Sequence, residues 1–208
     1  MNAESYSAIA GELFAPLYPY YAGQIVARTG IRAGACLDAG CGCGDLGLAV
    51  AAAGEFELFF LDRSAAMLSK ARERVCQSGR RSGVTFLEAM VESIPMPEAS
   101  FDLVVSRGSV PFWENLADAF GEIFRVLKPG GHAYIGGGLG TREMREKIQQ
   151  AMRERAAGRG TEEMGKIPQR TMGEYEDALR RAGILHGNVE RSDEGTWIRF
   201  TKPPAGVE

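Results

Sequence analysis

The feature that most constrains this chain is Leu37-Asp38-Ala39-Gly40-Cys41-Gly42-Cys43-Gly44, a short apolar run ending in an acid and followed by alternating glycines. Such a run favours a buried strand, and the glycines let the backbone bend sharply and let a ligand approach with no Cβ in the way. Leu46, Val50 and Ala53 then recur at helical spacing, with Asp45 placed to cap them. Strand, glycine turn and helix open a βαβ unit. A second acid, Asp62, ends the next apolar run, Phe56 to Leu61, about 20 residues beyond the first glycine. At that interval a parallel sheet presents a carboxylate to the two hydroxyls of a ribose, so the pair predicts an adenosine-containing ligand.

The alternation continues. Ser64 is placed to cap a helix carrying Met67, Leu68, Ala71 and Val75, and Val84 to Leu87 reads as a third strand. Pro95 and Pro97 force a loop before a fourth strand, Phe101 to Val105. Leu116, Ala119, Phe120, Ile123, Phe124 and Leu127 form the apolar face of a helix that Lys128-Pro129-Gly130-Gly131 stops, leading into a fifth strand at Ala133 to Ile135. Thr141 to Arg159 is polar with a thin apolar line of Met144, Ile148 and Met152, the pattern of a surface or lid helix. An amphipathic helix over Thr171 to Ala182 follows, then strands near Gly187 to Arg191 and Thr196 to Thr201, joined by a short turn suited to an antiparallel hairpin. The expected architecture is therefore α/β, a Rossmann-like three-layer sandwich around a mostly parallel seven-stranded sheet with an antiparallel last strand.

Ahead of the first strand, Tyr6, Ile9, Leu13 and Phe14 line one helical face, and the aromatic patch Leu17-Tyr18-Pro19-Tyr20-Tyr21 precedes a second helix carrying Ile25 and Val26. We read 208 residues as one domain: a helical cap over 1–33, a cofactor-binding core over 34–140, a lid insert over 141–170, and a C-terminal helix and hairpin over 171–208. Lysine and arginine number 24 against 27 acids, a net charge of −3, so there is no electrostatic footprint for nucleic acid or an anionic membrane. The longest apolar stretches fall far short of the roughly 20 residues that a membrane-spanning helix needs, and the start lacks a leader pattern. Four clustered cysteines suit a reducing cytoplasm better than a disulfide framework, and no second Cys or His pair accompanies Cys41 and Cys43 at metal-ligand spacing.

With these motifs in order, the chain from about residue 20 onward resembles the class I S-adenosylmethionine-dependent methyltransferases. The likeness rests on the glycine run above, on Leu61-Asp62-Arg63-Ser64, on Ile94-Pro95-Met96-Pro97-Glu98-Ala99-Ser100-Phe101-Asp102, and on Leu127-Lys128-Pro129-Gly130-Gly131. The resemblance implies S-adenosyl-L-methionine as cofactor. Asp38 and the backbone at Gly40, Cys41 and Gly42 would hold its methionine end, Asp62 the ribose hydroxyls, Met67 and the Arg63 stem one adenine face, and the Ser106 carbonyl its amino group. Val91 would contact the ring through its N–H. Met90 departs from the family's aspartate at that position and cannot accept strongly from the adenine amino group, with Glu88 a substitute on the same side of the strand.

The acceptor would be met by loops at the carboxyl ends of the strands and by the cap. Arg107 is a candidate anion contact, with Phe112 and Trp113 as pocket walls. The alternative is an Arg107 paired to a nearby acid and rings that simply pack on the next helix. Tyr18, Tyr20 and Tyr21 either cover the cofactor, with an aromatic face toward the sulfonium and a phenol as a weak base, or pack a cap helix. His132 and His186 are isolated and look unlike catalytic bases. A small-molecule acceptor is expected, with no metal, nucleic acid or membrane partner. The rival readings are a nicotinamide or flavin oxidoreductase and a non-catalytic S-adenosylmethionine-binding protein.

Overall fold

The computed structural model of the protein describes residues 12–158, 170–204 and 206. Its elements are α1 (Leu17–Thr29), β1 (Ala33–Ala39), α2 (Asp45–Ala52), β2 (Glu55–Asp62), α3 (Ala65–Gln77), β3 (Val84–Glu88) and β4 (Phe101–Arg107). A single 3-10 turn (Val110–Phe112) leads into α4 (Leu116–Val126), β5 (Leu127–Gly137), α5 (Arg142–Gly158), α6 (Met172–Arg181), β6 (Asn188–Ser192) and β7 (Gly195–Thr201). One seven-stranded sheet runs in the order β3-β2-β1-β4-β5-β7-β6. Strands β1 to β5 are parallel, and β7 runs antiparallel to both β5 and β6. The order reverses between β1 and β4, so a crevice opens where the glycine turn leaves β1, at the carboxyl edge of the sheet.

Two apolar layers cover the sheet. On one face, Phe120, Ile123 and Val126 of α4 and Tyr175, Ala178 and Leu179 of α6 bury against Val104, Ile135 and Ile198. On the other, Leu17, Tyr21 and Ile25 of α1, with Leu46 and Val50 of α2 and Leu68 of α3, close over Leu58, Phe60, Leu103 and Tyr134. Leu116, Ala119, Phe120 and Ile123, predicted for the apolar face of α4, are buried together with Ala117 and Val126, because period 3.6 places them on a single stripe. Burying each such large side chain contributes about 1.5–3 kcal/mol. Ser64 caps α3 by accepting from the Met67 N–H, and Thr171 and Glu174 form a reciprocal capping box on α6.

Four local expectations change. Asp45 does not cap α2: Gly44, in the left-handed region at φ 80°, is the N-cap and Asp45 lies in the first turn. The aromatic patch is not a link between helices but the first turns of α1, where Pro19 sits before intrahelical N–H groups are needed. Lys128-Pro129-Gly130-Gly131 belongs to β5 itself, because Gly130 and Gly131 exchange backbone hydrogen bonds with Lys202 beyond the end of β7. Leu127, expected on the face of α4, is the first residue of β5 instead. Helix α5 lies on the surface as its polar composition predicts, docked along its thin apolar line with Ile148 buried and Met144 and Met152 beside it. The face proposed for Tyr6 and Ile9, and the stretch from Gly160 to Gln169 in the expected insert, lie outside the described residues. Among the described residues no helix is long and apolar enough to cross a membrane.

Candidate functional site

The crevice is built from the end of β1 outward. The glycine turn is tied to the end of β2 twice, because the N–H groups of Gly40 and Cys41 both donate to the Leu61 carbonyl, at 2.8 and 2.9 Å. Gly42 N–H donates to one oxygen of Asp62 at 2.9 Å, and Ser64 N–H donates to the other at 2.9 Å. Asp62 is thus held in a single pose by its own turn and the turn it faces. Each carboxylate oxygen keeps a second lone pair, so the residue can still accept from a ligand diol. Gly40 is demanded by tertiary structure as well as by its φ of 68°: a Cβ there would lie 2.5 Å from the Ser109 Cβ.

Asp38 is the buried charge of the site, 2% exposed, and one of its oxygens accepts from the Gly47 N–H at 2.8 Å. Burial pushes its carboxyl up to about 7; the Gly47 bond opposes that shift, and the neighbouring Asp45 and Asp62 add to it. An anion kept so close to neutrality is stabilised by any cation brought beside it. Cys41 is half-buried on the same turn, and its thiol is pushed well up by burial and by Asp38 and Asp62, which keeps it protonated and unreactive. Cys36, Cys41, Cys43 and Cys76 are all unbridged.

The third wall is the loop after β3. Asp62 and Glu88 are register partners, and the Ala89 N–H donates to the Asp62 carbonyl at 3.2 Å, so Met90 and Val91 follow directly after the residue pair that holds Asp62. The Val91 side chain is buried in the core and Met90 is half-buried. A clamp on α4 holds the rest of this loop: Arg125 donates to the Ile94 and Met96 carbonyls at 2.9 and 2.8 Å, and Glu122 accepts from the Ile94 N–H at 2.8 Å. Glu92 reaches the other way and accepts from the Glu114 and Asn115 N–H groups at 2.7 and 3.3 Å. Arg63 lies near Glu114 at 3.8 Å, a solvent-screened pair, and Met67 sits half-buried in the first turn of α3.

At the carboxyl end of β4, Ser106 is fully buried, its hydroxyl 2.6 Å from that of Ser109. Ser109 also donates to the Ala39 carbonyl at 3.2 Å and accepts from the Trp113 indole N–H at 3.1 Å. This hydroxyl network locks the β4 loop onto the glycine turn. Trp113 is therefore a buried core ring, edge-on to Phe120, rather than a pocket wall, whereas Phe112 is 53% exposed. Arg107 makes no ion pair among the described residues. It donates to the Gly138 carbonyl at 2.8 Å, and its guanidinium carbon lies 5.2, 5.4 and 5.6 Å from the rings of Phe14, Tyr18 and Tyr21. Each cation–π contact of this kind contributes about 0.5–2 kcal/mol.

Tyr21 is fully buried. Its hydroxyl donates to the Glu194 carbonyl at 2.8 Å and accepts from the Gly140 N–H at 2.7 Å. With its proton committed and its phenol pushed up chiefly by burial, Tyr21 is a junction of the fold, in keeping with the cap-helix packing alternative rather than the weak-base one. Tyr18 is buried, while Tyr20 is half-buried beside it on α1. His132 lies at the opposite end of the sheet, 3.1 Å from the Thr201 hydroxyl. Sequence reasoning missed Ser109, Glu92 and the Glu122–Arg125 clamp. The last left a trace, an acid and a base three residues apart on the polar side of α4; the others left none, since their partners are far along the chain.

Against known proteins, a family model described as a methyltransferase domain matches residues 37–135. A solved structure from Methanococcus maripaludis, assigned to the S-adenosyl-L-methionine-dependent methyltransferases, is 36% identical, with a TM-score of 0.88 over 99% of this chain and 94% of that one. The 27-O-demethylrifamycin SV methyltransferase of Amycolatopsis mediterranei is 28% identical over 94% of this chain and 69% of its own length. The malonyl-[acyl-carrier protein] O-methyltransferase of Enterobacter lignolyticus is 39% identical over 46% of this chain. The chain spans 35% of the length of that enzyme and 45% of the length of a ubiquinone/menaquinone biosynthesis C-methyltransferase of Marinomonas sp..

Proposed function

The chain belongs to the class I S-adenosylmethionine-dependent methyltransferases, and from that membership we propose that it transfers a methyl group from S-adenosyl-L-methionine to a small-molecule acceptor. The observation that carries this reading is the pair of carboxylates on adjacent parallel strands, buried Asp38 and turn-held Asp62, on either side of the glycine turn. The two fit the two polar ends of such a ligand. Asp38 is a buried anion for the methionine ammonium, and Asp62 is a fixed acceptor for a vicinal diol. Gly40, Cys41 and Gly42 line the turn between them. Arg63, Met67, Met90, Val91 and the Ser106 carbonyl surround the adenine. The relatives' names support a small acceptor group, since they refer to a demethylrifamycin, a demethylmenaquinone and the malonyl group of an acyl-carrier protein.

When bound, the cofactor supplies an electrophilic methyl on a sulfonium. The protein's own part is to align the acceptor in line with the S–CH₃ bond and to exclude water, which can supply much of the acceleration. Gly136, Gly137 and Gly138 and the β4 loop close the acceptor side, with Arg107, Tyr18 and Phe112 facing it. Four unbridged cysteines favour a reducing, cytoplasmic setting. Calorimetric titration with S-adenosyl-L-methionine and S-adenosylhomocysteine, with NAD as control, tests the reading. Micromolar binding of the two sulfur ligands alone is expected, followed by S-adenosylhomocysteine release with a small-molecule panel. No binding of either by folded protein would sink it.

A further inference from the structure

We propose that the methyl acceptor is an organic anion with a flat or apolar body, whose carboxylate or equivalent oxyanion is received by Arg107. This rests on the methyltransferase reading above and narrows it to a substrate class. Arg107 is the last residue of β4, paired with Gly136 of β5, and so stands at the carboxyl edge of the sheet where the crevice opens. Its guanidinium carries five N–H donors in a planar fork. One is committed, to the Gly138 carbonyl, and Nε is buried with no hydrogen-bond partner. Among the described residues no carboxylate pairs with it. Glu194, the acid that acts with Arg107 on the Tyr21 phenol, accepts from Gln24 at 3.0 Å.

The collar of Phe14, Tyr18 and Tyr21 rings replaces water around the charge. In such low-polarity surroundings a cationic acceptor meets a like charge at short range, and a neutral one leaves the remaining N–H donors unmatched. An oxyanion satisfies both demands, and a carboxylate matches the fork in two parallel hydrogen bonds. The exposed ring of Phe112, in the turn that follows β4, offers stacking to a flat body. An anionic acceptor is also drawn toward the sulfonium it must attack, whereas the acids of the cofactor end, Asp38 and Asp62, sit at the other side of the crevice.

The test uses full-length protein saturated with S-adenosylhomocysteine, titrated with benzoate, benzamide and benzylammonium and followed by NMR. Benzoate should bind at least about tenfold more tightly than benzamide, and benzylammonium weakest of all. Arg107→Gln should erase the benzoate preference and Arg107→Lys restore part of it, with S-adenosylhomocysteine affinity within about twofold throughout. Equal binding of benzoate and benzamide by the wild type, or a preference that survives Arg107→Gln, overturns the anion proposal while the cofactor reading stands. A wild type that fails to bind S-adenosylhomocysteine overturns that reading instead. The wild-type comparison decides the proposal even where a variant fails to fold.

Discussion

The two ends of the crevice are built by opposite means. At the proposed cofactor end, the contacts that fix the two carboxylates and the glycine turn come mostly from residues close in the chain or on adjacent strands: Gly47 to Asp38, Gly42 and Ser64 to Asp62, Gly40 and Cys41 to Leu61. At the acceptor end, the ring collar of α1 is anchored to the hairpin turn and to the start of α5 through Tyr21, whose two hydrogen bonds span 173 and 119 residues of sequence. The first end is shaped mainly by strand pairing, with the Ser109 hydroxyl and the α4 clamp bracing its sides. The second exists only once distant elements have docked, so it can be altered without loosening the cofactor site. That separation is the structural basis for one fold serving many acceptors.

The largest expected effect comes from breaking the cofactor end. Asp62→Ala removes a charged acceptor that also fixes the glycine turn, and about 3 kcal/mol or more of binding should go with it. Calorimetry should then show roughly hundredfold weaker S-adenosylhomocysteine affinity, and an affinity within threefold of wild type would refute the assignment.

Next in size is a pH effect at Asp38. Because burial raises its carboxyl to about 7, the proton must leave before an ammonium can be paired there. Cofactor affinity should rise about tenfold per pH unit up to that value and flatten above it, a slope that Asp38→Asn should abolish. The sign for the free protein is opposite. A carboxyl whose folded value lies above its unfolded one binds more protons when folded, so the urea midpoint should fall as pH rises from about 4 toward 7.

The contrast sharpens at Tyr21. Tyr21→Phe leaves the Gly140 N–H and Glu194 carbonyl without their partner, a cost of about 1–3 kcal/mol. Thermal unfolding should shift down by several degrees, about 2–4 °C per kcal/mol, while S-adenosylhomocysteine affinity stays within about twofold. An equal loss of both would show that the two ends are not separable. The smallest effect belongs to the α4 clamp. Arg125→Met frees the Ile94 and Met96 carbonyls and should weaken cofactor binding only about three- to tenfold, with Arg125→Lys recovering part of it.

Much of the proposed cofactor end was legible in the sequence as geometry, because it is short-range. Asp38 and Asp62 follow from a strand, a turn and an interval that the βαβ unit fixes, and the register that sets Asp62 beside Glu88 follows from parallel pairing. Ser64 and the α4 stripe were legible because caps and 3.6-residue periodicity are local rules. Trp113 was not. As a large ring after a strand it suits a pocket wall as well as a core, and only the Ser109 hydroxyl and Phe120 decide the matter. Asp45 was misplaced as a cap because the left-handed Gly44 fills that position without a side chain.

By itself, then, the sequence determined the sheet's parallel core, its glycine turn, the two carboxylates that flank it and the hairpin that closes its edge, since each depends on periodicity, turn chemistry or strand-to-strand spacing. The tertiary structure alone decided that Arg107 stands in an aromatic collar, paired with no acid among the described residues, that the phenol of Tyr21 is committed, that Gly40 is needed beneath Ser109, and that Arg125 holds the loop after β3. Those contacts join residues tens to well over a hundred positions apart. No local propensity encodes such a meeting, because it is settled by which apolar faces bury together and by which polar groups are then left close enough to bond.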